Sequence, residues 1–244
     1  MEFIGALVVG FLASMVSAIS TGGALINIPG LIFLGFNPVT AIATSRLSAI
    51  AGSLSALYRY HKSKQILWHI LPTLLVISVI GGLIGPKLLM QIDAATLEPT
   101  IGIILLLMLP VLFINNKFGV TTKSVTPRYK VLSWAILLLI MAFSTMFGIG
   151  GGTFLLYALI YFFGMTLTQA NATGQAMWLF GTMSAFVSYA SQGVVDYSLA
   201  IPLVIGSIIG GYTGAHIAIK KGSSWVKWLL AIVIVLSSIK LIIF

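Results

Sequence analysis

The stretch Gly148-Ile149-Gly150-Gly151-Gly152, followed beyond a short apolar run by Ala170-Asn171-Ala172-Thr173-Gly174-Gln175, decides how this chain is read. It has a twin near the N-terminus: Thr21-Gly22-Gly23, a short apolar run, then Ala41-Ile42-Ala43-Thr44-Ser45-Arg46. The copies keep one offset of 129 residues without a gap, as from Gly22 to Gly151 and from Gly23 to Gly152. Further out, Gly35, Gly52, Ser55, Ala56 and Tyr60 match Gly164, Gly181, Ser184, Ala185 and Tyr189, and Ser78, Gly81, Gly82 and Gly85 match Ser207, Gly210, Gly211 and Gly214. Chance does not hold register over so many positions, so the chain is an internal duplication. Residues 1–116 form the first repeat, 117–129 a linker and 130–244 the second repeat.

The composition says which solvent the repeats face. Hydrophobic residues make up 59% of the chain and charged residues 7%, against about 25% charged in a soluble domain. So few charges cannot cover a water-facing surface, and the chain reads as an all-α integral membrane protein. There is no cysteine, and His61, His69 and His216 lack metal-ligand spacing, so no disulfide, metal or cofactor is expected. The net charge of +9 fits cytoplasmic loops of a membrane protein better than a nucleic-acid surface. Residues 3–20 lack the basic flank of a secretory signal and read as a retained membrane segment.

Apolar runs fall at 3–20, 24–36, 38–60, 67–90 and 99–116, then at 130–147, 153–164, 166–190, 197–219 and 225–244. The runs 24–36 and 153–164 are too short to span, because a crossing helix needs about 20 residues. Each half therefore opens with a glycine-broken helical hairpin, followed by three spanning helices. Ten of the thirteen basic residues lie in three loops, around 59–64, 117–130 and 220–227, which are expected to be cytoplasmic. Glu2, Asp93, Glu98 and Asp196 fall elsewhere. The loop at 59–66 reads as inside and its equivalent at 191–196 as outside, so the halves are inverted-topology repeats. An odd number of crossings per half satisfies this: five spans, or three spans plus a re-entrant hairpin. Inverted repeats with broken helices are a signature of secondary transporters, with the site near the midplane.

Arg46 is the most informative single residue. It lies about 12 Å deep at 1.5 Å per residue, and no membrane run contains an Asp or Glu to pair with it. A buried charge needs a partner, which is either a substrate anion or, if Arg46 snorkels outward, Asp93 or Glu98. Thr44, Ser45, Asn171, Thr173 and Gln175 supply hydroxyls and amides at matching places in the two halves. The glycine turns, Gly22, Gly23, Gly150, Gly151 and Gly152, allow tight turning and expose backbone N–H groups that attract anions where a helix restarts. Asn27 and Tyr157 lie in the short helices and are weaker candidates for a cavity wall. Gly81, Gly82, Gly85 and their twins read as helix-packing positions. Trp68, Trp134, Trp225 and Trp228 sit at segment ends, as an aromatic belt does.

These residues resemble the TauE/SafE family, the sulfite exporter family of membrane anion permeases. The likeness lies in the duplicated pattern of a glycine cluster, a short helix often holding a proline (here Pro29), a glycine, and then Ala-x-Ala/Gly-Thr-Ser, read here as Ala41-Ile42-Ala43-Thr44-Ser45 and as Ala170-Asn171-Ala172-Thr173-Gly174, with glycine in place of the serine. It spans both halves and implies a multi-pass permease of the inner (cell) membrane for sulfite, an organosulfonate or a related sulfur-containing anion. Alternating access is the expected mechanism, and outward movement of an anion is compatible with a negative-inside potential, at about 2.3 kcal/mol per charge per 100 mV. An anion channel shares most of these features. A membrane-embedded enzyme would need an intramembrane base or metal ligand, which the sequence lacks. The expected partners are a small anion and the lipid bilayer.

Overall fold

The computed structural model describes residues 2–20, 23–62, 64–112, 130–148 and 151–221, together with 235, 238 and 239. Gly22, Gly150, the linker 117–129, Trp225 and Trp228, and most of the run 225–244 lie outside the described residues. Within them the chain forms nine helices and no strand: α1 (Glu2–Ser20), α2 (Ala24–Phe33), α3 (Pro38–Lys62), α4 (Leu71–Leu89), α5 (Ala94–Leu112), α6 (Lys130–Phe147), α7 (Gly151–Phe163), α8 (Leu167–Ala190) and α9 (Tyr197–Lys221). The expected breaks fall between α1 and α2 and between α6 and α7.

The short apolar runs become short helices. α2 has 10 residues and α7 has 13, which is about 15 and 20 Å of rise and well short of a roughly 30 Å hydrocarbon core. α2 folds back along α1: Gly23 packs on Ala13 and Ser17, Gly30 on Val9, and Leu34 on Gly5. It ends at Gly35, whose φ of +93° lets the Gly35 and Phe36 N–H groups donate to the Ile32 and Leu31 carbonyls. Gly164, at φ +63°, ends α7 in the same way. α3 then starts on an Asn37 side chain that accepts from the Val39 N–H at 2.9 Å. α8 starts on a capping box between Thr166 and Gln169.

Glycine decides how the long helices meet. On α9, Gly210 and Gly214 face the backbone of α1 at Phe11 and Met15, while Gly211 faces Gly52 and Ser55 of α3. On α4 the twins do the same: Gly81 and Gly85 face α6 at Met141 and Ala142, and Gly82 faces Gly181 and Ser184 of α8. At each of these sites a Cβ would fall on the backbone, or on the first side-chain atoms, of the neighbouring helix. Close approach through small residues is how helices associate where lipid removes the hydrophobic drive between them.

The outer face is apolar and the interior holds the polar groups. α4 exposes Val76, Ile80, Leu83 and Ile84 and buries Ser78. α9 exposes Ile201, Ile205, Ile208 and Ile209 and buries Ser207. Contiguous exposed apolar surface of this extent fits a lipid solvent. Among the described residues, Leu71–Leu89 and Tyr197–Lys220 are long and apolar enough to cross a membrane. α3 and α8 are also long, at 25 and 24 residues, but they carry several buried polar groups.

The halves exchange contacts reciprocally. The Asp196 N–H, from the loop before α9, donates to Thr44 Oγ1 of α3 at 2.9 Å. The Leu67 N–H, from the loop before α4, donates to Thr173 Oγ1 of α8 at 3.2 Å. Thr44 and Thr173 are twins, and so are Leu67 and Asp196. The end of α3 therefore lies beside the start of α8, and the end of α8 beside the start of α3. Tyr60 and Tyr189, also twins, donate to the Ala18 carbonyl at 2.8 Å and to the Met146 carbonyl at 3.1 Å, each pinning the last turn of its own repeat's first helix.

Candidate functional site

A cavity opens where the two helix breaks approach α3 and α8. Its wall includes Ser14 and Ser17 of α1, Gly23 at the first break, Asn27 of α2, Ser45 and Arg46 of α3, Gly148 at the second break, and Gln175 and Trp178 of α8. A smaller cavity adjoins it, lined by Ser17, Gly152, Leu155, Gly174, Gln175 and Trp178. The site thus lies between the repeats, and both halves contribute to each wall.

Arg46 is 2% exposed. Its Nε and Nη2 have no hydrogen-bond partner among the described residues, carboxylates included. Its Cζ lies 5.9 Å from the centre of the Tyr189 ring, an attraction that offsets only part of the cost of burying a guanidinium. Gly148 is what leaves room for the head group. It sits at φ +76°, and a Cβ placed on it would lie 2.8 Å from Arg46 Nη2 and 2.6 Å from Ile28 Cδ1. Asn27 donates to Ser48 Oγ at 3.1 Å, and its Oδ1 has no partner among the described residues. Ser45 lines the cavity while its hydroxyl donates to the Ile42 carbonyl at 2.7 Å.

The other expected residues divide by what they touch. Gln175 reaches the cavity, but its amide donates to the Ser17 carbonyl at 3.0 Å, and Asn171, one turn away, donates to the Ile19 carbonyl at 3.4 Å. Those carbonyls belong to the last turn of α1, which has no intrahelical donors left, so both side chains cap the break. Thr44 and Thr173 line neither cavity, because their hydroxyls hold the crossed loops. Gly151 packs on Ser144 of α6, Gly152 lines the smaller cavity, and Tyr157 lines neither. Sequence reasoning missed Ser14, Ser17, Trp178 and Tyr189. Two signals could have found some of them: the serine spacing of three on α1, and the duplicated tyrosine pair.

Asp196, in the loop that holds Thr44, caps α9. Its Oδ1 accepts from the Ser198 hydroxyl at 2.7 Å and from the Ser198 and Leu199 N–H groups at 2.9 and 3.1 Å. The Ser198 hydroxyl first, then the Leu199 N–H, holds its carboxyl below the usual carboxylate range. The support this cap gives is present above the ordinary aspartate pKa and is lost as pH falls through the depressed value.

The chain is 24% identical to a probable membrane transporter protein of Haemophilus influenzae, over 96% of this chain and 92% of that one. It is 23% identical to the probable membrane transporter protein YfcA of Escherichia coli, over 96% and 87%, and 27% identical to the probable membrane transporter protein YunE of Bacillus subtilis, over 99% and 98%. No solved structure matches it. The family model described as sulfite exporter TauE/SafE matches residues 6–241, so the chain belongs to the TauE/SafE family.

Proposed function

We propose that the protein is a secondary transporter, a permease and not an enzyme, which moves a small anion across the cell membrane by alternating access. One observation carries the reading: a buried guanidinium with two unpaired nitrogens faces a cavity at the meeting point of two broken helices. An anion there would supply the missing charge and accept hydrogen bonds from Nε and Nη2. The relatives' description as probable membrane transporters supports a permease, and the family's name supports sulfite, to which an organosulfonate is the related sulfur oxyanion. The test is uptake into proteoliposomes of purified protein over a panel of sulfite, sulfate, sulfonates and carboxylates. Saturable uptake with counterflow is expected for the sulfur monoanions. Conductance at channel rates without saturation would overturn the carrier reading.

The same proposal takes the halves as inverted-topology repeats, with loops 59–66, 117–129 and 220–224 in the cytoplasm and loops 91–98 and 191–196 outside. The crossed threonine contacts support it, since each joins the loop after one repeat's third helix to the start of the other's. Single cysteines introduced at 64 and at 192 should be labelled by an impermeant thiol reagent from opposite sides. Labelling of both from one side would exclude the inversion.

The crossed contacts also suggest how access alternates. Thr44 ties down the outer loop and Thr173 the inner one, so release of one or the other would open the matching side. A hydrogen bond of about 1 kcal/mol net shifts such an equilibrium about fivefold. With a reporter cysteine at Ser53 on the cavity wall, Thr44→Val should raise labelling from outside and Thr173→Val from inside. A change of the same sign in both variants would remove the threonines from gating.

A further inference from the structure

The two adjoining cavities are lined at equivalent positions. Gly23, Ser45, Arg46 and Ala49 of the larger are the twins of Gly152, Gly174, Gln175 and Trp178 of the smaller. The duplication therefore built two copies of one half-site, and they abut, since Ser17, Gln175 and Trp178 line both. Their chemistry has diverged. Where the first has a cation the second has a neutral amide, where the first has serine the second has glycine, and where the first has alanine the second has an indole.

We infer that the second half-site receives an uncharged aliphatic tail, so that the substrate is an organic monoanion lying across both half-sites. The inference rests on Arg46 being the anion site. A second anionic group has no cation to meet in the smaller cavity. Gln175 already directs one of its two amide N–H groups to the Ser17 carbonyl, and a neutral amide brings no charge to meet a second anion. Beside Ser17 and Gln175 the lining consists of the Trp178 indole, Leu155 and the bare Cα atoms of Gly152 and Gly174, surfaces that reward apolar contact. A bare inorganic anion would leave this second half-site unfilled.

The test is binding of methanesulfonate and propane-1-sulfonate to purified protein. The two share a head group and differ by two methylenes. Wild type should prefer the propyl compound by roughly tenfold, the worth of two buried methylenes. Trp178→Ala removes the tail's main contact and should bring the ratio close to one. Gly174→Ala fills the same space without disturbing the fold, because its Cβ would stand 3.5 Å from Leu159 Cδ1 and 3.9 Å from Leu155 Cδ2, ordinary contact distances; it too should lower the ratio. Arg46→Gln should weaken both ligands together and leave the ratio in place. Equal binding of the two by wild type, or an unchanged ratio in folded Gly174→Ala and Trp178→Ala, overturns the second half-site alone. Failure of wild type to bind either sulfonate, or undiminished binding by Arg46→Gln, overturns the anion site and this inference with it.

Discussion

Arg46→Gln is expected to weaken anion binding by roughly 30- to 1000-fold, the equivalent of about 2–4 kcal/mol for a lost charge-assisted hydrogen-bond network. The protein should remain folded. Gln175, the twin of Arg46, already occupies the matching place beside the opposite break, so an amide of that length is compatible with this backbone geometry. Melting temperature should hold or rise, because the variant removes a buried charge whose Nε and Nη2 have no partner among the described residues. Arg46→Lys should restore binding only in part, since an ammonium offers a point charge where the guanidinium offers a planar fork matched to an oxyanion. Substrate affinity beside melting temperature, on the same preparation, decides the matter. Unchanged affinity would take Arg46 out of the site. Lost stability with unchanged affinity would give it a structural role, as a charge held over the Tyr189 ring.

How much of this was legible in the sequence varies with the range of the contact involved. The duplication was legible because a fixed offset needs no structure, and with it came the short helices α2 and α7. The packing glycines were legible because only a residue without a Cβ lets two helix backbones touch, and Gly82 and Gly211 do this against Gly181 and Gly52. Arg46 stood out because a charge deep in an apolar run needs a partner. The threonines were harder. Thr44 and Thr173 sit in the same short motif as Ser45 and Arg46, yet their hydroxyls turn to loops more than 100 residues away, and no local pattern encodes that direction. The glycine cluster held a similar ambiguity: Gly148, Gly151 and Gly152 are near neighbours, but the first makes room for a guanidinium, the second packs on Ser144 and the third lines a cavity. Trp178 was invisible because its meaning lies in the comparison with Ala49 across two walls that only the fold brings together.

Gly148→Ala should weaken anion binding by roughly 10- to 100-fold, although the change adds a single methyl group. Two effects combine. At φ +76° an L-residue pays about 1–2 kcal/mol of backbone strain. The methyl would also lie 2.8 Å from Arg46 Nη2 and 2.6 Å from Ile28 Cδ1, so the guanidinium must move away from the place where, on the proposed reading, it would meet the anion. Gly35→Ala separates the two effects. Gly35 also has a left-handed backbone, at φ +93°, but nothing lies within 4 Å of its Cβ position. That variant should lose about 1 kcal/mol of stability and keep its affinity. A double-mutant cycle completes the argument. If Gly148 acts by leaving space for Arg46, then in an Arg46→Gln background Gly148→Ala should cost little further affinity, because the shorter amide can give way where the guanidinium cannot. Affinity losses that simply add in the double variant would mean that Gly148 shapes the break without reference to Arg46, and that the guanidinium's position is set by α3 alone.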